Sequence, residues 1–365
     1  MTRHTNQLLS LFFVSLSLLA VVSAACSASS PCGADAPCCS EYGYCGSGSY
    51  CLGGCSPLGS HSFTSCRPDP ICVSGETDFT DLSRVLQNST AYTGNVTGYD
   101  WILNTGTLVP DPNGQGVRLT LTENDQGTKI SSTRYVHYGQ IDMTLETSKW
   151  QGVVTAAITM SDVHDEIDWE FPGNNTSSGQ TNYWFLGIAN YSATEGQTVT
   201  INSDTSSNFH TYSFNWQEDS LQWLVDGNVV RTVNKDDTIV NGVAKYPTTP
   251  SRIEISIWPA GINGSAQGTI DWSGGMINWD DPDYVSNGYF YNTLQSVKVN
   301  CAETASSGNI TGWSYTGNGT DGVPVVAETN ASLLLNSAKP VYQSAPGVLV
   351  LLFTLLSIAL LGCNI

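Results

Sequence analysis

The chain has 365 residues, of which 40% are hydrophobic and only 12% charged, with a formal net charge of −19. That length suffices for one domain of about 200–250 residues with a real core, plus smaller pieces. So acidic a chain is a poor partner for nucleic acid, and its wealth of Gly, Ser, Thr, Asn, Tyr and Trp suits an all-β exported protein.

Arg3 and His4 precede an apolar run from Leu8 to Val22, and small residues follow at Ser23, Ala24 and Ala25. This is the layout of a signal peptide over residues 1–25, cut near Ala24 or Ala25. The run is about 15 residues, short of the ~20 needed to span a bilayer.

Nine of the eleven cysteines lie between Cys26 and Cys72. In an exported chain this density means a disulfide scaffold, because so short a segment cannot build its own core. The adjacent Cys38-Cys39 and the scarcity of His argue against zinc spacing. The run Cys38-Cys39-Ser40-Glu41-Tyr42-Gly43-Tyr44-Cys45-Gly46, ending in Tyr50-Cys51, resembles the hevein-like chitin-binding modules. The resemblance places such a module at residues 26–72. It implies the pairings Cys26–Cys39, Cys32–Cys45, Cys38–Cys51 and Cys55–Cys66, and a sugar platform made by Ser40, Tyr42, Tyr44 and Tyr50. Aromatic faces stack on pyranose rings with little loss of entropy. Cys72 and the distant Cys301 remain, and their pairing is expected to tie together the ends of the next domain.

From residue 73 to 301, short apolar–polar alternations recur, with Gly, Asn and Asp between them. Val117 to Thr122, Gly139 to Glu146 and Val153 to Met160 are examples. Leu221 to Val225 and Val229 to Val233, joined through Asp226-Gly227-Asn228, read as a hairpin. In Arg252 to Trp258, Ile253, Ile255 and Ile257 share one face, with Glu254, Ser256 and Trp258 on the other. No long helical period is visible, so the expectation is a β-sandwich.

Within this stretch stands His164-Asp165-Glu166-Ile167-Asp168-Trp169-Glu170-Phe171. As a strand it sends Ile167, Trp169 and Phe171 into a core and lines up Glu166, Asp168 and Glu170 on the opposite face. Such a row of like charges does not stabilise a fold. It is what glycoside chemistry needs: one carboxylate attacks the anomeric carbon and another protonates the leaving oxygen. The Cα atoms of Glu166 and Glu170 are ~13 Å apart along a flat strand, so a retaining pair needs long side chains leaning together on a curved sheet.

Glu-Ile-Asp-Trp-Glu resembles the Glu-x-Asp-x-Glu signature of the family-sixteen glycoside hydrolases. Gln180-Thr181-Asn182-Tyr183, Trp223-Leu224-Val225-Asp226-Gly227 and Gly268-Thr269-Ile270-Asp271-Trp272 are similar to one branch, the fungal Crh-type cell-wall transglycosylases. The resemblance implies a concanavalin-like β-jelly-roll sandwich. By position it makes Glu166 the nucleophile, Asp168 the helper and Glu170 the acid/base. It also sets Trp258, Thr269 and Trp272, with Tyr138, Gln180 and Tyr183, along the sugar cleft. Trp216 and Trp223 are expected in the core. His210 is too isolated to be a base, no nucleophile elbow stands out, and no metal-ligand spacing or cofactor motif is present.

Beyond Cys301 the chain turns rich in Ser, Thr, Gly and Asn, and a spacer without strand-like runs is expected over 302–336. Glycosylation sequons occur at Asn88, Asn95, Asn174, Asn175, Asn190, Asn263, Asn309, Asn318 and Asn330. Small residues from Asn336, a spacer and the apolar block Val348 to Leu361 have the layout of a glycosylphosphatidylinositol signal. Asn336 is then the anchor site and 337–365 a removed propeptide.

The resulting expectation is a monomeric, lipid-anchored enzyme of the fungal wall and outer plasma membrane. It would cleave β-1,4 linkages in chitin and transfer the chain to β-glucan. An endo-hydrolase of chitin or β-glucan and a non-catalytic chitin-binding wall protein are the alternatives.

Overall fold

The computed structural model describes residues 25–188, 195–319 and 322–335. All but the last residue of the expected signal peptide, the sequon Asn190, the anchor residue Asn336 and the segment 337–365 lie outside them.

The first module is held by disulfides Cys26–Cys39, Cys32–Cys45, Cys38–Cys51 and Cys55–Cys66. Cys38, Cys51 and Cys55 form its buried cluster; cystine takes the place of an apolar core in so short a segment. Its hairpin is β1 (Cys38–Cys39) with β2 (Cys45–Gly46). A fifth disulfide joins Cys72 to Cys301 across 229 residues. Closing so long a loop restricts the unfolded chain by about 5 kcal/mol on the chain-entropy estimate.

β3 (Asp69–Pro70) leads into the sandwich. Its strands are β4 (Gly75–Asp78), β5 (Val85–Leu86), β6 (Trp101–Thr105), β7 (Leu108–Pro110), β8 (Val117–Leu121), β9 (Thr128–Ser132), β10 (Gly139–Glu146) and β11 (Val153–Ser161). β12 (Glu166–Pro172), β13 (Ser178–Trp184), β14 (Gln197–Thr200), β15 (His210–Trp216), β16 (Ser220–Val225) and β17 (Asn228–Asn234) follow. The small hairpin β18 (Ile239–Val240) and β19 (Val243–Ala244) precedes β20 (Ser251–Pro259) and β21 (Phe290–Cys301). Two short helices, α1 (Gln267–Trp272) and α2 (Pro282–Asn287), lie between β20 and β21.

One sheet runs β17-β16-β15-β10-β21-β8-β7, with β4 also beside β21; the other runs β14-β13-β12-β11-β20-β9-β6-β5. This is the expected jelly-roll sandwich. Between the sheets Ile167, Trp169 and Ile255 of one meet Tyr212, Phe214, Trp216 and Trp223 of the other, and all are fully buried. The β16–β17 turn has Asp226 at φ 49° and Gly227 at φ 78°, the left-handed pair that a two-residue I′ hairpin requires.

The expectation of a strand-free spacer over 302–336 is corrected. β22 (Gly312–Asn318) pairs with β23 (Pro324–Thr329) on one side and with β3 on the other. Trp313 and Tyr315 alternate inward and are buried. A Gly/Ser/Thr/Asn-rich composition does not prevent a strand when two aromatics two positions apart have a surface to cover.

Candidate active site

Strand register decides which side chains share the outer face of the second sheet. Glu166, Asp168 and Glu170 of β12 stand opposite Met160, Ile158 and Ala156 of β11. On the other flank they stand opposite Trp184, Asn182 and Gln180 of β13. One strand beyond β11, β20 sets Arg252, Glu254, Ser256 and Trp258 against Met160, Ile158, Ala156 and Val154. The three carboxylates therefore sit mid-sheet, inside a face that mixes apolar, amide and aromatic groups.

The entry to β12 is clamped by Asp165, which is fully buried. Its Oδ1 accepts from Leu186 N at 2.9 Å, and its Oδ2 accepts from Thr248 N at 2.9 Å and Thr249 Oγ1 at 2.7 Å. A buried carboxylate is tolerated when its lone pairs are filled in this way. The strand is also held from behind. Trp223 Nε1 of the opposite sheet donates to the Asp168 carbonyl at 3.0 Å, and Trp169 Nε1 donates back to the Ser213 carbonyl at 3.4 Å.

Asp168 is 2% exposed, and its Oδ2 accepts from Trp184 Nε1 at 3.0 Å. Burial first, and then the Glu166 charge, holds its carboxyl well above the usual range. Burial pushes Glu166 up to about 7; a hydrogen bond with Asp168 pulls it down, while Glu170 and Glu254 push it up. Burial pushes Glu170 up to about 8, with the Asp168 charge adding to it. The protons belong to the row as a whole. All three carboxyls are held above their ordinary range, chiefly by burial. Burial, more than the neighbouring carboxylate, favours the protonated form of Glu170.

Trp258 and Trp272 stack, with ring centroids 6.0 Å apart and planes 22° off parallel, and both are half-buried. Trp272 and Thr269 lie on α1. The loop after α1 is drawn close to the sheet: a Cβ on Gly261 would sit 2.1 Å from the Gly275 carbonyl oxygen.

Residues 95–274 match the family model described as Glycosyl hydrolases family 16. This chain carries a family 16 glycosyl hydrolase domain. Crh-like protein 3 of Botryotinia fuckeliana (strain B05.10) is 41% identical over 286 residues, covering 77% of this chain and 63% of that protein. Congo red hypersensitive protein 2 of Saccharomyces cerevisiae is 41% identical over 254 residues, covering 69% of this chain and 54% of that protein. The chain thus spans less than two thirds of the length of these relatives. A solved structure of a Crh5 transglycosylase in complex with NAG superposes with a TM-score of 0.56 at 27% identity, covering 68% of this chain and 90% of that one.

Of the expected cleft residues, Gln180 stands opposite Glu170, and Trp258 lies two strands over on the same face with Trp272 stacked on it. Two expectations are corrected. Tyr183 pairs with Ile167, so its side chain shares the inward face and is buried in the core. Tyr138 precedes β10 at φ 60°, stacks on His137 and packs edge-on against Trp216, also in the core. Asn182 and Trp184 were missed, although the period of two through Gln180 marks both once β13 is set beside β12. His210 bonds Asp226 Oδ2 at 2.7 Å on the other sheet, at the β16–β17 turn.

In the first module Ser40, Tyr42, Tyr44 and Tyr50 keep to the surface, and the Tyr50 ring lies on Gly46, where a Cβ would come within 2.4 Å of it. Asn88, Asn174, Asn175, Asn263, Asn309, Asn318 and Asn330 are exposed and Asn95 is half-buried.

Proposed function

We propose that this protein is a retaining cell-wall transglycosylase that cleaves β-1,4-linked N-acetylglucosamine chains and passes them to β-glucan. One observation carries the reading: three carboxylates on one strand face, all held above their ordinary range by burial, flanked by an aromatic pair. Glu166 attacks the anomeric carbon as the C1–O bond breaks, and Glu170 gives its proton to the departing oxygen. Asp168 is the helper, standing between the two on the same strand face. In the second half-reaction Glu170 takes a proton from an acceptor hydroxyl, whose oxygen displaces Glu166 from C1. Trp258, Thr269, Trp272 and Gln180 line the sugar path. The relatives named Crh-like proteins and the transglycosylase solved with NAG support the donor and the reaction class.

The same reading makes Ser40, Tyr42, Tyr44 and Tyr50 a chitin platform. It includes export through residues 1–25, glycosylation at the exposed sequons and a lipid anchor at Asn336. The product is a monomer held at the outer membrane face and wall.

The test is incubation of the secreted protein with chitin oligosaccharides and a fluorescent β-glucan acceptor, beside Glu166→Gln. Longer labelled products from wild type alone are expected. Shortened chitin without labelled elongation would make it an endo-hydrolase, and retained chitin binding without turnover would make it a non-catalytic wall protein.

A further inference from the structure

The hevein-like module is latched onto the sandwich at the edge of the cleft. Glu41, in the middle of its Cys-Cys-Ser-Glu-Tyr motif, reaches the outer face of the second sheet. Its Oε2 lies 2.8 Å from Arg252 Nη2 and 3.4 Å from Lys129 Nζ. Both cations also meet Glu254, at 3.1 Å from Arg252 and 3.2 Å from Lys129. Beside this cluster Gly54 N donates to Asp162 Oδ1 and to the Tyr135 hydroxyl, both at 3.0 Å. Gly54 has φ +82°, and a Cβ there would fall 2.7 Å from Arg252 Nη2. The contact therefore needs glycine for its backbone angle and for its closeness.

The latch adjoins the acidic row. Glu254 stands opposite Ile158, which stands opposite Asp168, a distance of roughly 10 Å at two strand spacings. Docking leaves the platform open: Tyr42, Tyr44 and Tyr50 are 61%, 50% and 42% exposed. They border a groove whose other wall is sandwich, including Ile102, Asn104 and Ser132. A second hollow is lined by Tyr42, Lys129, Met160 and Glu254, and Met160 is the residue facing Glu166.

We propose that the tyrosine platform and the acidic cleft form one continuous binding surface for a single N-acetylglucosamine polymer chain, held in register by the Glu41 latch. The inference rests on the transglycosylase reading and deepens it. A module on a loose tether raises only the local concentration of substrate. A docked one fixes where the chain lies, so that binding far from the scissile bond is realised as positioning at that bond. Two acids and two bases meet in the latch, so a neutral sugar crossing it faces paired charge. The tyrosine faces and the Trp258–Trp272 pair give that sugar apolar stacking at both ends.

The experiment is calorimetry on the full secreted protein carrying Glu166→Gln, titrated with a short and a long N-acetylglucosamine oligomer. Added Glu41→Ala, Tyr44→Ala or Trp258→Ala completes the set. One long oligomer per protein is expected, bound at least tenfold tighter than the short one. Glu41→Ala and Tyr44→Ala should each weaken the long oligomer at least fivefold. Trp258→Ala should weaken both oligomers. Two long oligomers per protein, with affinities indifferent to Glu41→Ala, would overturn the single surface and leave the enzyme reading standing. Binding of both oligomers that ignores Trp258→Ala and needs only Tyr44 would overturn the cleft reading and the inference with it. If Glu41→Ala misfolds, Tyr44→Ala carries the test, because its exposed ring does not support the fold.

Discussion

Asp168 and Trp184 meet across neighbouring strands, the indole Nε1 donating to Asp168 Oδ2 at 3.0 Å. The bond reaches the middle carboxylate of the row, which shares its strand face with Glu166, so the indole orients the helper of the proposed nucleophile. A hydrogen bond to a charged group contributes about 1.5–3 kcal/mol. Trp184→Phe keeps an aromatic face and removes the donor. We expect kcat to fall by roughly 10–100-fold, with KM for a chitin oligomer changed less than twofold. An unchanged kcat in steady-state kinetics would remove Trp184 from the positioning of the row.

Asp168→Asn tests the electrostatic ladder. Glu170 is held up by burial and then by the Asp168 charge. A neutral amide removes the second cause and leaves the first. Glu170 then loses its proton at lower pH, and as the general acid it is spent sooner as pH rises. The alkaline limb of the kcat/KM profile should move to lower pH in Asp168→Asn, with a lower maximum. A limb that stays or moves up would mean that Asp168 does not act on Glu170 through charge.

The acidic row and the sandwich core are legible in sequence because both follow from a period of two within one strand. Glu166, Asp168 and Glu170 need only local alternation to share a face. Tyr183 fails for the same reason: its face is set by pairing with Ile167, and a strand read alone does not say which of its sides looks at the cleft. β22 is hidden by its composition, and although its hairpin partner β23 is local, β3 on its other side lies about 240 residues earlier in the chain. The latch between Glu41 and Arg252, 211 residues apart, leaves no local trace at all.

Trp258 and Trp272 form one stacked unit from a strand and a helix. An aromatic contact of this kind contributes about 0.5–1.5 kcal/mol beyond area burial. Each single change to Ala should raise KM for oligomers by about 3–10-fold. The double change should cost less than the product of the two, because removing either ring already disturbs the other. Strict multiplicativity in the double-mutant cycle would show that the two rings meet different sugars independently.

Glu41 gives the docking contact a pH dependence. Burial pushes its carboxyl up, but Arg252 and then Lys129 outweigh burial and bring it down to about 2, against an ordinary 4.5. A carboxyl with a depressed folded-state pKa contributes stability that is fully present above its unfolded value and is lost as pH falls through the folded one. Here that window runs from about 4.5 down to about 2. Glu41→Gln should therefore destabilise the docked state by about 2–3 kcal/mol near neutral pH, the scale of a charge-assisted hydrogen bond. The gap between variant and wild type should close across that window. Scanning calorimetry of both proteins from pH 7 to pH 2, with amide exchange at Gly54 as the local reporter, measures it. A gap independent of pH would mean that the Glu41 side chain holds the module by packing and that its charge contributes nothing to the latch.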